Sequence, residues 1–244
     1  MILLSKIVPL FNFYNIDMDF AGIDKFSLLD YDEMVSIVLF APGCNFRCPF
    51  CHNIEQVVDS KERIPFSEIM EYLESRKGVI DAVVISGGEP TLMPELKERI
   101  IQIRNLGFKI KLDTNGTNPK LLKELIDEGL LDYVAMDVKN SIDKYALTTG
   151  VHGNFELVKE SIALLKENKV DYEFRTTLVD EFHSIETITK MGELIKGAKK
   201  LYLQKYVYRE GVLIKSLHPV EEAKALEFRN ILKNFVETVE LRGY

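Results

Sequence analysis

An α/β fold built on parallel strands is predicted by three features of this 244-residue chain. Six short apolar, β-branched runs recur along it, each is followed by a stretch of helical periodicity, and nothing interrupts the alternation. Such alternation implies parallel strands joined by right-handed crossovers. Eight units would close a barrel. Six leave a partial barrel or an open doubly wound sheet, and periodicity does not choose between them.

The runs are VSIVLF (35–40), DAVVIS (81–86), FKIKLD (108–113), DYVAMDV (132–138), YEFRTTLV (172–179) and KLYLQKY (200–206). Each is short and mostly apolar, as a parallel strand covered on both faces should be. Between them lie helices with readable stripes and ends. Phe66, Ile69, Met70 and Leu73 mark the first. Leu96, Ile100 and Ile103 mark the second after Pro94, with Gly107 where a terminating glycine belongs. Asn118 and Pro119 form a cap followed by a first-turn proline; Leu121, Leu122, Leu125 and Ile126 follow, and Gly129 closes that helix. Leu157, Ile162 and Leu165 stripe the fourth, Ile188, Met191 and Ile195 the fifth, and Phe228, Leu232, Phe235 and Val239 the last. One domain is expected: an N-terminal extension (1–34), a barrel core (35–210) and a C-terminal helical segment (211–244).

Composition narrows the function. The chain is 46% hydrophobic and 28% charged, ordinary for one large globular domain. A formal charge of −7 argues against nucleic acid as a partner, because phosphate contacts need a basic surface. No apolar run approaches the ~20 residues that span a bilayer, so no membrane association is expected. The start, MILLSKIVPLFNFYN, lacks a basic n-region and a cleavage site. The three cysteines cannot all pair with one another, so a reducing cytoplasm is the expected setting.

Polar residues gather where the strands end. The cysteine loop follows the first run, Gly87-Gly88-Glu89-Pro90 the second, Asp113-Thr114-Asn115-Gly116 the third and Asp137-Val138-Lys139 the fourth. Arg175 lies in the fifth, and Gln204 and Tyr206 close the sixth. One polar strand end is ordinary turn chemistry. Six converging on one rim read as an active site.

The loop APGCNFRCPFCHN (41–53) holds every cysteine: Cys44, Cys48 and Cys51. Its end, CPFCH, matches covalent haem attachment, but that reading leaves Cys44 without a role and requires export. Zinc on three cysteines and His52 is awkward, since the adjacent side chains of Cys51 and His52 diverge. Three structural core cysteines fit poorly among Asn, Arg and Pro. An iron–sulfur cluster remains, whose usual ligands are thiolates. Three thiolates on a cubane leave one iron free to bind a small molecule.

C-x3-C-x2-C with Phe50 before the last cysteine, followed one βα unit later by GGEP, resembles the radical S-adenosylmethionine (SAM) superfamily. KFSLLDYDEMVSIVLFAPGCNFRCPFCHN, SGGEPTL, DTNGT, MDVK and FRTTLV together resemble the glycyl-radical-enzyme activases, above all those of anaerobic ribonucleoside-triphosphate reductase. The similarity spans roughly residues 25–210. It implies an α/β, partial (β/α)6 barrel, a 4Fe–4S cluster on Cys44, Cys48 and Cys51, and SAM on the fourth iron. It also implies reductive cleavage to a 5′-deoxyadenosyl radical that abstracts hydrogen from a glycine of a partner glycyl-radical enzyme. The electron would come from an external donor such as ferredoxin or flavodoxin.

The cofactor-binding residues the resemblance implies suit their tasks physically. Gly87 and Gly88 permit close backbone approach, and Glu89 would support the methionine ammonium by charge. Lys139 offers a cation to the methionine carboxylate or a donor to the ribose. Asp113 and Asp137 suit the ammonium, the ribose or a small cation, Phe50 the neighbourhood of the adenine, and Arg175 shares their rim. Two departures stand out: LYLQKYVYREG has no histidine at the sixth strand end, and DYDEM replaces the DYPGK-like text of such activases. A radical enzyme acting on a small molecule would share every one of these residues, and a zinc-binding interaction module is the rival from another class.

Overall fold

The computed structural model describes residues 19–54 and 61–244; the N-terminal stretch weighed above as a leader lies outside them. Eight strands form one sheet in chain order. β1 (Gly22–Ser27) runs antiparallel to β2 (Ser36–Ala41). From β2 onward each neighbour is parallel: β3 (Ala82–Gly87), β4 (Lys109–Thr114), β5 (Tyr133–Asp137), β6 (Asp171–Leu178), β7 (Lys200–Lys205) and β8 (Thr238–Arg242). A doubly wound sheet reverses its strand order at a switch point. Here the order never reverses, so the α/β chain is a partial barrel.

Seven α-helices are described: α1 (Phe66–Glu74), α2 (Leu96–Asn105), α3 (Pro119–Asp127), α4 (Ile142–Thr149), α5 (Phe155–Leu165), α6 (Ile185–Leu194) and α7 (Glu222–Leu232). Their ends follow from sequence. Asn118 caps α3 by accepting from the Leu121 N–H at 3.2 Å. Gly107 and Gly129 take φ of 98° and 65°, a region that favours glycine.

Three elements depart from the expectation. The last helix stops at Leu232, and Val239 belongs to β8, so the segment 211–244 is not helical throughout. Phe235 has a different use: a Cβ added at Gly192 of α6 would lie 2.5 Å from its ring. Phe235 thus wedges the turn after α7 against α6, and the chain then enters the sheet beside β7. β1 was not expected because GIDKFS is polar and half exposed on an edge. α4 carries little apolar signal, since three of its residues facing inward are Tyr145, Thr148 and Thr149.

The two faces of the sheet differ in kind. Ile37, Leu39, Val83, Ile85, Ile110, Leu112, Val134 and Met136 are fully buried in the core that includes Leu96, Ile100 and Leu125 of the helices. Burial of each such side chain contributes about 1.5–3 kcal/mol. Alternate residues, including Lys111, Asp113, Tyr133, Asp137, Glu173, Arg175 and Arg242, take the other face, as the period of two requires. That face is polar over β4 to β8, against the expectation of strands apolar on both sides, whereas Val38, Ala82 and Val84 of β2 and β3 keep it apolar there, packed with Tyr31 in a smaller cluster.

The DYDEM segment before β2 shows that this face is concave. The Asp30 carbonyl accepts from Lys111 Nζ at 2.5 Å, the Tyr31 ring lies 5.6 Å from that of Tyr133, and Asp32 sits 3.7 Å from Arg242. One short segment thus touches β4, β5 and β8 and closes the lower end of the barrel. The opposite, C-terminal end is left for the site.

Candidate functional site

Cys44, Cys48 and Cys51 are free thiols in the loop leaving β2. Three neighbours hold that loop. Glu89 donates its N–H to the Gly43 carbonyl at 2.8 Å, and Gly88 donates to Ala41 at 2.9 Å. Arg47 donates its N–H to Thr149 at the end of α4 at 2.8 Å, where a Cβ on Gly150 would lie 2.2 Å from the Arg47 carbonyl oxygen. Asn45 donates to Thr117 and accepts from Asn115, both at 2.8 Å, which ties it to the loop after β4.

Gly87 and Gly88 bring two backbones together. A Cβ on Gly88 would lie 1.7 Å from the Gly43 oxygen, and one on Gly87 would lie 2.6 Å from the Ala41 nitrogen with φ at 112°. The partner these glycines admit within the chain is the cysteine loop itself.

Glu89 is fully buried. Its Oε1 accepts from the Thr91 N–H and hydroxyl and from the Thr114 hydroxyl at 2.7 Å, and its Oε2 accepts from the Asn115 N–H at 2.7 Å. Burial pushes its carboxyl above the ordinary range despite those donors. Its hydrogen bonds brace the GGEP turn against the DTNGT turn.

Behind the loop runs a chain of charges. Ser86 donates to Asp113 at 2.9 Å; Arg175 reaches Asp113 and Asp137 at 3.0 Å each; Lys139 meets the second oxygen of Asp137 at 2.8 Å. Asp137 and Arg175 are register partners across β5 and β6. Burial opposes the charge on Lys139, but Asp137 outweighs it and keeps the lysine protonated. Lys139 Nζ also stands 5.9 Å from the centre of the Phe50 ring, which is buried and 6.2 Å from Phe182. Asp113 Oδ1 is buried without a partner.

The predicted residues thus fall on one rim. The expected cysteine loop, GGEP turn, Asp113, Asp137, Lys139, Arg175 and Phe50 are joined by direct contacts. Of the uses open to the two aspartates, the structure fills one place between them with the Arg175 guanidinium. His52 packs its ring 5.8 Å from that of Tyr206, whose hydroxyl is buried and unpartnered. Sequence reading placed Asn115 on the rim without giving it a role, and missed Asn45, Thr117 and His183. His183 sits in a segment with no motif.

A family model described as the radical SAM superfamily matches residues 38–194. The chain belongs to the radical SAM superfamily. Among curated relatives, a candidate glycyl-radical enzyme activating enzyme of Methanocaldococcus jannaschii is 34% identical over 232 residues, covering 91% of this chain and 95% of that one. A candidate GTP 3′,8-cyclase of Thermococcus kodakarensis is 28% identical over 82% of this chain and 66% of its own length. Among solved structures, Streptococcus suis SuiB bound to S-adenosylmethionine superposes with a TM-score of 0.65 at 15% identity, covering 84% of this chain and 52% of that one. That likeness supports the fold.

A radical SAM enzyme uses a 4Fe–4S cluster and SAM, and the residues here fit both. Burial pushes the Cys44 thiol up to about 11 and the Cys48 thiol up to about 12, while Lys139 pulls both down. Neutral thiols in so apolar a setting become thiolates when bound iron supplies compensating positive charge. Among the described residues no three His, Cys, Asp or Glu side chains gather as one metal ion would need. In a cubane each thiolate binds its own iron, so tight convergence is not required. The orphaned Asp113 Oδ1, beside Arg175 and Ser86, offers an acceptor to a bound polar group.

Proposed function

We propose that this radical SAM enzyme is an activase that removes a hydrogen atom from a backbone glycine of a glycyl-radical enzyme. The observation that carries this reading is the match to the M. jannaschii candidate activating enzyme over nearly the whole length of both chains. DTNGT and FRTTLV resemble the same activases, and the partner this reading takes is anaerobic ribonucleoside-triphosphate reductase.

In this reading Cys44, Cys48 and Cys51 hold the cluster. Lys139 pairs with the methionine carboxylate, Asp113 accepts through its open oxygen, Phe50 lines the adenine side, and Gly87 and Gly88 seat the loop. Arg175 and Asp137 fix Lys139, and Glu89 braces the rim from beneath. When bound, cluster and SAM supply a one-electron cleavage that yields a hydrogen-abstracting radical. A glycine suits as the target because no side chain hides its α-hydrogen. The partner supplies that glycine on a loop able to enter the barrel mouth, and an external donor such as ferredoxin or flavodoxin supplies the electron.

Anaerobic incubation of the reconstituted protein with SAM, a strong reductant and the ribonucleotide reductase of the same organism tests the proposal. A glycyl-radical doublet in the reductase, by electron paramagnetic resonance, is expected. The second reading, a small-molecule enzyme, is favoured by the cyclase relative that covers 82% of this chain. A radical-free reductase, with turnover stimulated by a nucleotide that becomes modified, would establish that reading instead.

A further inference from the structure

Lys139 is held by its backbone as well as by Asp137. Val138 donates its N–H to the Arg175 carbonyl at 2.9 Å, and the Val138 carbonyl accepts from the Thr176 hydroxyl at 2.7 Å. Asn140 donates from Nδ2 to the Phe182 carbonyl at 2.9 Å and to Thr148 at 3.0 Å. The carbonyl of Lys139 itself depends on a side chain from a more distant turn. His183 Nε2 lies 3.1 Å from it.

His183 is 1% exposed, in the turn that follows β6. Its Nδ1 stands 3.0 Å from the Val179 N–H. The Val179 carbonyl, also near Nδ1, already accepts from the N–H groups of Phe182 and His183. One tautomer serves every group: Nδ1 accepts from Val179, and the proton on Nε2 is donated to the Lys139 carbonyl. Burial lowers the pKa of this imidazole, which keeps it neutral and able to make both bonds.

The same turn places Phe182 against Phe50, 6.2 Å between ring centres. It therefore governs the two side chains that face each other across 5.9 Å, Lys139 and Phe50. We infer that His183 is a positioning residue for SAM binding, acting through the Lys139 backbone. It touches neither cysteine nor cofactor in this reading. The inference rests on the placement of Lys139 at the cofactor site, and its test separates the two.

The test uses the cluster-loaded protein. SAM affinity is read from the change it causes in the electron paramagnetic resonance spectrum of the reduced cluster, alongside iron and sulfide content and thermal midpoint. His183→Phe removes both bonds and keeps an aromatic ring; His183→Gln restores a donor towards Lys139. His183→Phe should weaken SAM binding about three- to tenfold, the range of one lost hydrogen bond, with iron content unchanged. His183→Gln should recover most of that affinity.

In a Lys139→Ala background, His183→Phe should cost no further affinity, because residues acting through one another are not additive. Wild-type affinity in His183→Phe, or a full additional loss on top of Lys139→Ala, overturns the inference and leaves the site assignment standing. If Lys139→Ala itself binds SAM normally, the placement of Lys139 fails, and the inference with it. Should His183→Phe lose its cluster or fold, His183→Leu and the double variant Lys139→Ala/His183→Leu, which also remove both bonds, decide the matter by the same criterion.

Discussion

Arg175 donates from Nε to Asp137 at 3.0 Å across adjacent strands, and its Nη1 reaches Asp113 at the same distance. Two carboxylates at neighbouring strand ends repel each other unless a cation stands between them. The chain supplies that cation itself. Lys139 at 2.8 Å extends the series by one more charge and brings an ammonium beneath the Phe50 ring.

Arg175→Met should therefore destabilise the fold strongly. Removing one member of a buried ion pair leaves an uncompensated charge and costs about 3–5 kcal/mol, readable as a fall in the urea midpoint. The pH dependence has a definite sign. Burial pushes Asp137 up, but Lys139 and Arg175 outweigh it and hold the carboxyl below the ordinary range. A depressed carboxyl contributes stability above its unfolded pKa of about 3.9 that is lost as pH falls through the folded value. Wild-type stability from this group should thus persist through mildly acidic pH. In Arg175→Met the loss should begin at higher pH, and an unaltered acid limb would refute the ion-pair account.

Gly88→Ala tests the contact between the GGEP turn and the cysteine loop. Its new Cβ would sit 1.7 Å from the Gly43 oxygen, a backbone atom that cannot rotate away. Overpacking costs about 1–3 kcal/mol, occasionally more, and here the strain falls on the segment that presents the thiols. Iron and sulfide content after reconstitution should drop well below wild type. Full cluster content in this variant would mean the loop can shift freely.

Most of the scaffold was legible in sequence because outward-facing strand residues and helix stripes share one apolar core. Val83, Ile85 and Leu112 need no partner chemistry to be recognised, since they are apolar because they are buried. The strand ends were legible for the opposite reason: Asp113, Asp137 and Lys139 interrupt such runs. What escaped was information carried across the chain. Val239 fits a helical stripe with Phe235 until Gly192 shows where that ring goes. Glu89 reads locally as a charge for a ligand, and no local motif shows that its oxygens also bind Thr91, Thr114 and Asn115. DYDEM departs from familiar text, yet its Tyr31 and Asp32 close the barrel base through residues on β5 and β8.

Cluster loading should depend on each thiol and not on the neighbouring histidine. Replacing Cys44, Cys48 or Cys51 with alanine removes a ligand that an iron needs, and each variant should fail to retain about four irons per chain. His52 packs on Tyr206 instead, so His52→Ala should keep its cluster. Stoichiometric zinc without iron in the wild-type protein would contradict this assignment.

Lys139→Ala tests whether the ammonium beneath Phe50 faces the cofactor. Its partner Asp137 remains satisfied by Arg175 at 3.0 Å, so the fold should survive the change better than it survives Arg175→Met. A charge-assisted hydrogen bond to a carboxylate is worth about 1.5–3 kcal/mol, or roughly ten-fold or more in affinity. SAM should therefore bind at least that much more weakly, while the cluster assembles normally on its three cysteines. Lys139→Arg keeps the charge but carries a planar, longer head group that does not fit a site built around one ammonium. It should recover only part of the loss. Equal SAM affinity in wild type and Lys139→Ala would place the methionine carboxylate elsewhere on the rim, with Asp113 and Ser86 as the next residues to vary.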